Sequence, residues 1–155
     1  MTEGPELGQV TDRRAPFKYS ALARVWFSDT DAQGVVYYGR YLPYFDHARV
    51  EYHRHLGLRP GLGEAGGEFV MRASTIEYHA PARFDDLLEI FVRIARIGRT
   101  SVTYEHAAHR LPDDAVMVTA TQTLVLVDLH RRRALEVPRD YREAVRAFEG
   151  EDLEA

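Results

Sequence analysis

The stretch Phe27-Ser28-Asp29-Thr30-Asp31-Ala32-Gln33-Gly34-Val35-Val36-Tyr37-Tyr38-Gly39-Arg40-Tyr41 lies between an alternating segment and a helical one. Upstream, Tyr19, Ala21, Ala23, Val25 and Phe27 alternate with Ser20, Leu22, Arg24 and Trp26, the period of a strand with two unlike faces. Downstream, Tyr41, Phe45, Ala48, Tyr52 and Leu56 recur at steps of three and four, an apolar stripe of helical period. Pro43 lacks an N–H and is tolerated only in a first turn, so the helix should start within Gly39 to Leu42; Gly57 supplies the stop. The stretch therefore reads as a strand-to-helix loop, with two carboxylates and a glycine ahead of a helix N-terminus.

That arrangement has chemical content. Backbone N–H groups in a helix's first turn have no internal acceptor and carry the positive end of the dipole, so they can polarise a carbonyl or hold an oxyanion. A nearby carboxylate can activate water or attack directly, which together suffices to hydrolyse an activated acyl compound without Ser or Cys. Asp-Thr-Asp before a helix is also ordinary turn and capping chemistry, and the pattern alone weighs toward that structural role. A metal-binding D-x-D reading finds no further acidic or His partner at ligand spacing in the loop.

Beyond a Gly-rich connection at 57–67, four β-rich runs follow: Glu68 to Tyr78, Leu87 to Ile97, Thr100 to His109, and Ala115 to Leu129. Pro81 with Asp85-Asp86, then Gly98-Arg99, then Pro112-Asp113-Asp114 separate them as turns. After a basic turn at His130 to Arg133, Pro138 opens a short amphipathic segment with Tyr141, Val145 and Phe148 on one face. The order predicts an α+β fold, an antiparallel sheet with one long helix on one face and a short C-terminal helix. Residues 1–17 mix Gly, Pro and charges without period and read as a flexible tail, 18–149 as one domain, and 150–155 as a C-terminal tail.

Composition limits the chemistry. The chain has 155 residues, 45% hydrophobic, with 20 basic against 24 acidic residues and a net charge of −4, so no extended nucleic-acid footprint is expected. There is no long apolar run and no apolar segment near the start, so neither a membrane span nor a secretory signal is expected, and a cytoplasmic location is. The absence of cysteine removes disulfides and thiolate nucleophiles, leaving carboxylates, seven histidines and hydroxyls. Of the basic residues only Lys18 is lysine.

The loop resembles a known family at three places. Arg24-Val25-Trp26-Phe27-Ser28-Asp29-Thr30-Asp31-Ala32-Gln33-Gly34-Val35-Val36-Tyr37-Tyr38, followed by Tyr41-Leu42 and Ala48-Arg49, is similar to an arginine-led strand and D-x-D-x-x-G-V-V-Y loop. Ile76-Glu77-Tyr78-His79-Ala80-Pro81-Ala82-Arg83-Phe84-Asp85-Asp86 is similar to a Y-x-x-P-A-x-x-x-D segment, and Ile97-Gly98-Arg99-Thr100-Ser101 to a hairpin. In this order they resemble the hot-dog fold acyl-CoA thioesterases of the 4-hydroxybenzoyl-CoA thioesterase-like family, over about residues 19–138. The resemblance implies a five-stranded antiparallel sheet wrapped around the long helix, and a homodimer or homotetramer with active sites at the subunit interface. It implies an acyl-CoA substrate, no cofactor and no metal. Asp31 maps onto the catalytic carboxylate, as general base on water or as nucleophile. The backbone N–H of Tyr38 maps onto the group that polarises the thioester carbonyl. Gly34, Val35, Tyr41, Arg99, Thr100 and Ser101 map onto substrate or CoA contacts, and Asp29 is assigned to organising the loop.

The chain also departs from its relatives. One bacterial subfamily, associated with the envelope Tol-Pal system and short-chain acyl-CoAs, carries His where this chain has Tyr38. The hydroxybenzoyl-CoA enzyme carries Pro where this chain has Ala32. A second hot-dog lineage places its carboxylate on the central helix, which makes Asp46 or Glu51 the runner-up. His47, Glu51 and His55 share a helix surface, read as solvated or subunit-facing rather than metal-binding. Arg131 to Arg133 read as a solvated turn, and Arg99 as the arginine best placed for a CoA phosphate. Two alternatives to hydrolysis remain: a hot-dog hydratase or dehydratase, which needs a His beside the carboxylate, and a non-catalytic acyl-CoA-binding module.

Overall fold

A computed structural model describes residues 5–58 and 67–154. Strands β1 (Gly8–Arg14) and β2 (Phe17–Arg24) lead through 3-10 turns at Phe27–Asp29 and Tyr38–Arg40 into helix α1 (Tyr41–His55). Strands β3 (Glu68–Tyr78), β4 (Leu87–Ile97), β5 (Ser101–Leu111) and β6 (Ala115–Asp128) follow. A two-residue strand β7 (Arg133–Ala134), helix α2 (Arg139–Glu149) and a 3-10 turn at Gly150–Asp152 end the chain. The sheet runs β1-β2-β4-β5-β6-β3, all of these pairs antiparallel, and β7 pairs with the end of β6.

The expected α+β architecture is present, but the sheet has seven described strands rather than five. Strands β2 to β6 are the five read from the sequence, with β3 and β4 at the expected bounds. Strand β1 lies inside the segment expected to be a tail. It is held by backbone pairing to β2 and its residues are exposed or only partly buried, without alternation, so it has no apolar face to read. Its Arg13 pairs with the buried carboxylate of Glu89, and the guanidinium of Arg14 lies 5.2 Å over the Phe91 ring. Strand β7 is too short to leave a period. The expected C-terminal tail is also engaged: Glu154 N–H donates to Ala95 O at 2.7 Å.

The α1 stripe becomes the core. Tyr41, Phe45, Ala48 and Tyr52 are each at most 2% exposed and pack against Ile90, Val92 and Ile94 of β4 and Tyr104 of β5. Each of the larger rings contributes on the order of 2 kcal/mol by leaving water. Gly57, at φ +71°, ends the helix in a left-handed conformation. The neighbouring helix face departs from expectation. Glu51 is buried rather than solvated, its Oε1 accepting the Leu7 N–H at 2.7 Å, and His55 Nδ1 lies 3.1 Å from Glu6. The N-terminal segment lies over that face, which the tail reading had left bare.

At the other side of the sheet, β3 pairs with β6 and has no second neighbour among the described residues. Val70, Met71 and Tyr78 are exposed along it. Among the described residues no helix is long and apolar enough to cross a membrane.

Candidate active site

The loop after β2 is a short out-and-back ribbon. Thr30 and Val36 form an antiparallel bridge; inside it Asp31 N–H donates to Val35 O and Gly34 N–H to Asp31 O, both at 2.9 Å. Gly34 holds φ +79°, a left-handed turn position that glycine adopts without a Cβ penalty. Asp31 Oδ1 accepts the Gln33 N–H at 2.8 Å. Asp31 therefore sits at the ribbon's tip. Val36 N–H donates to Ala82 O at 2.8 Å and ties the ribbon to the segment after β3.

The ribbon's base is fixed by Asp29. Its Oδ2 accepts the Trp26 N–H at 2.9 Å and the Tyr44 hydroxyl at 2.6 Å, and its carbonyl accepts the Tyr37 N–H at 2.9 Å. The chain then enters the 3-10 turn at Tyr38, which runs directly into α1. No side chain caps this turn, and the N–H of Tyr38 has no acceptor within it. A positive backbone terminus thus lies close in sequence to the Asp31 carboxylate.

Asp31 and Tyr38 both line one cleft of ≈ 310 Å³, together with Gln33, Val35, Val36, Tyr41, Tyr78, His79, Ala80 and Pro81. Its wall is aromatic: the Tyr78 ring stands edge-on to Tyr38 at 6.5 Å and to Tyr41 at 6.0 Å. The Tyr78 hydroxyl donates to the Tyr38 carbonyl at 3.0 Å. Burial pushes the Tyr41 phenol upward. These rings make an apolar slot whose polar groups converge on the ribbon tip and the helix start, the composition expected of a small-molecule site.

Of the residues read from the sequence, Asp31, Val35, Tyr38 and Tyr41 come together, with Gly34 shaping the turn. Arg99, Thr100 and Ser101 do not join them within this chain. They close the hairpin between β4 and β5, where Gly98 N–H donates to Ser101 O at 2.8 Å. The opposite end of β4 adjoins the loop through Val25 N–H and Asp86 O, 2.9 Å apart. The 11 residues of β4 separate the two places by roughly 33 Å, at about 3.3 Å per residue. The Arg99 side chain is exposed, 3.6 Å from Glu136. Asp46 is paired with Arg49 at 2.8 Å, and Glu51 with the N-terminal segment; neither lines the cleft.

Sequence reasoning missed Gln33, Val36, Tyr78, His79, Ala80 and Pro81 as cleft residues. The signal for Tyr78 was present, since it is the first residue of the Y-x-x-P-A-x-x-x-D pattern in the second resembling segment. His79 borders the cleft, but strand alternation turns its side chain to the opposite face from Tyr78, where Nε2 lies 2.8 Å from Thr119 Oγ1. Among the described residues no three His, Asp or Glu side chains are grouped to hold a metal.

The profile of the family described as "Thioesterase-like superfamily" matches residues 25–145. The chain belongs to this superfamily. It is 33% identical over 129 residues to the Haemophilus influenzae protein named acyl-CoA thioesterase YbgC, covering 81% of this chain and 93% of that one. Among solved structures, a probable thioesterase from Bartonella henselae is 32% identical with TM-score 0.69, covering 77% of this chain and 98% of that chain. A Thermus thermophilus thioesterase, solved with coenzyme A and zinc, is 28% identical with TM-score 0.70, covering 83% and 93%. The hot-dog thioesterase resemblance and the enzyme class it implies, thioester hydrolase, agree with these relatives.

Proposed function

We propose that the protein hydrolyses an acyl-CoA to the free carboxylic acid and CoA, with Asp31 as the reacting carboxylate and the Tyr38 N–H polarising the thioester carbonyl. The observation that carries this reading is that Asp31 and Tyr38, the first residue of the uncapped turn into α1, line the same aromatic cleft. A carbonyl oxygen at the backbone N–H becomes more electrophilic at carbon and gains stabilisation as it turns into an oxyanion. Asp31 either takes a proton from the attacking water or attacks the carbonyl itself to give a mixed anhydride that water then cleaves. In both routes the C–S bond breaks, CoA leaves as thiolate and takes up a proton, and the acid is released.

Hydration of an enoyl group is disfavoured because the one histidine bordering the cleft has its imidazole engaged with Thr119 on the other face. The edge of β3, which has no second strand neighbour among the described residues, supports a subunit-interface site. Two-fold antiparallel pairing of β3 with its copy sets the Glu68 end beside the copy's Tyr78 end. Glu68 pairs with Val127 and Ser101 with Val125, so that pairing carries Arg99 of the partner subunit toward the cleft. Arg99, Thr100 and Ser101 then act on the CoA of the neighbouring site.

The test is a thiol-release assay over acyl-CoAs of different chain length, with benzoyl and phenylacetyl types included, on the wild type and Asp31→Asn. Turnover that falls at least about a hundredfold in the variant is expected. No turnover of any thioester by the wild type would favour the binding-module reading.

A further inference from the structure

Building on the reading of Asp31 as the reacting carboxylate, we propose that Tyr44 is a positioning residue: its hydroxyl clamps Asp29 and thereby sets the ribbon tip against the helix start. Asp29 is the hub of the ribbon's base, because its side chain takes the Trp26 N–H and its carbonyl the Tyr37 N–H. Those two bonds hold the ribbon to itself. The 2.6 Å bond from Tyr44 joins it to the body of α1.

Two side chains from this stretch approach Asp29, Arg40 from the 3-10 turn and Tyr44 from α1, and they differ in strength. Arg40 lies 3.7 Å from Asp29 Oδ1 on a side chain 46% exposed, a screened contact that contributes little. Tyr44 is 7% exposed and packs edge-on against Tyr41 at 5.8 Å, so its ring is fixed by the core. A short hydrogen bond from a fixed phenol to a carboxylate belongs to the stronger, charge-assisted class. Burial, followed by the bond to Asp29, holds the Tyr44 phenol well above its usual pKa, so it stays a donor across any assay range. Tyr44 does not line the cleft. Its removal leaves the cleft walls in place but frees the ribbon to shift relative to Tyr38, and displacements of about 1 Å at a reacting group cost on the order of a hundredfold.

The experiment compares kcat, KM and Tm for wild type, Tyr44→Phe, Asp29→Asn, the double variant and Asp31→Asn. Tyr104→Phe serves as a control that loses a core hydroxyl bonded to His53 and Tyr141, away from the cleft. Tyr44→Phe should lower kcat by about tenfold or more with KM within about threefold and an unchanged pH profile. The double variant should be no worse than the poorer single one, since both break the same clamp. Tyr104→Phe should lower Tm without lowering kcat. Wild-type kcat in Tyr44→Phe, additive losses in the double variant, or an equal kcat loss in Tyr104→Phe overturns the proposal. Should Tyr44→Phe fail to fold, a wild-type kcat in Asp29→Asn overturns it instead. Undiminished turnover by Asp31→Asn overturns the underlying reading, and is distinguishable because it does not depend on Tyr44.

Discussion

Tyr38 illustrates how one residue carries separate tasks in backbone and side chain. Its N–H begins the turn into α1, while its carbonyl accepts the Tyr78 hydroxyl and its ring is largely exposed. Tyr38→Phe keeps the backbone and should leave kcat within about threefold of wild type, far milder than Asp31→Asn. Tyr78→Phe keeps the cleft wall but frees the Tyr38 carbonyl. The net value of one neutral hydrogen bond, about 1 kcal/mol, predicts a roughly fivefold fall in kcat. Steady-state thiol release on both variants checks these values, and a Tyr38→Phe loss matching Asp31→Asn would place the chemistry in the phenol instead. Asp29 and Asp31 look alike in sequence, yet Asp29 is largely enclosed by Trp26, Tyr37 and Tyr44 while Asp31 stands at the tip. Local spacing does not record that difference, because Tyr44 is fifteen residues away.

Helix α1 was legible from its apolar stripe, with Pro43 in its first turn and Gly57 after its end, and β4 from a run rich in Leu, Ile and Val that ends at Gly98. Strand β3, with no buried residue in the single chain, was marked mainly by the Gly-rich stretch before it and Pro81 after it. Strand β1 was not legible, since an edge strand held by backbone bonds needs no apolar alternation. Packing between α1 and β5 buries two histidines that the sequence could not mark as neutral. Burial first, and the nearby Arg49 guanidinium second, lower His53 and His106 to about 3. The His53 ring meets the hydroxyls of Tyr104 and Tyr141, and His106 stacks on Phe45. Folded pKa values below the usual 6.5 mean that the unfolded chain takes up these protons first as pH falls. Their contribution is complete above about pH 6.5 and declines toward pH 3. Glu149 pulls in the opposite sense, because burial raises its carboxyl. Urea midpoints should therefore be lower at pH 4.5 than at pH 7.5, and the gap should narrow in His106→Phe if that variant folds. A midpoint independent of pH would contradict the two buried histidines.

Across the whole molecule, the fold class, the loop and the enzyme family were readable from the order of short motifs. The distance between Arg99 and Asp31 was not, because the 11 residues of β4 set them toward opposite ends of that strand, and they would share one path only in the dimer proposed above. Pairing along β3 makes a specific demand. Met71 is 44% exposed in the single chain, so Met71→Glu should fold, yet in the proposed pairing it would place a charge in the seam between the two β3 strands. Light scattering should then show dissociation toward monomer, with thioesterase activity falling alongside. An unchanged assembly with full activity would move the interface elsewhere.

Asp31 is the point on which the proposed chemistry turns. The most direct measurement is kcat/KM of Asp31→Asn for the acyl-CoA best hydrolysed by the wild type, alongside the affinity of the same variant for CoA by calorimetry. A loss of at least about a hundredfold in kcat/KM, with CoA affinity within about threefold, is the predicted result. Turnover within about threefold of wild type would contradict it.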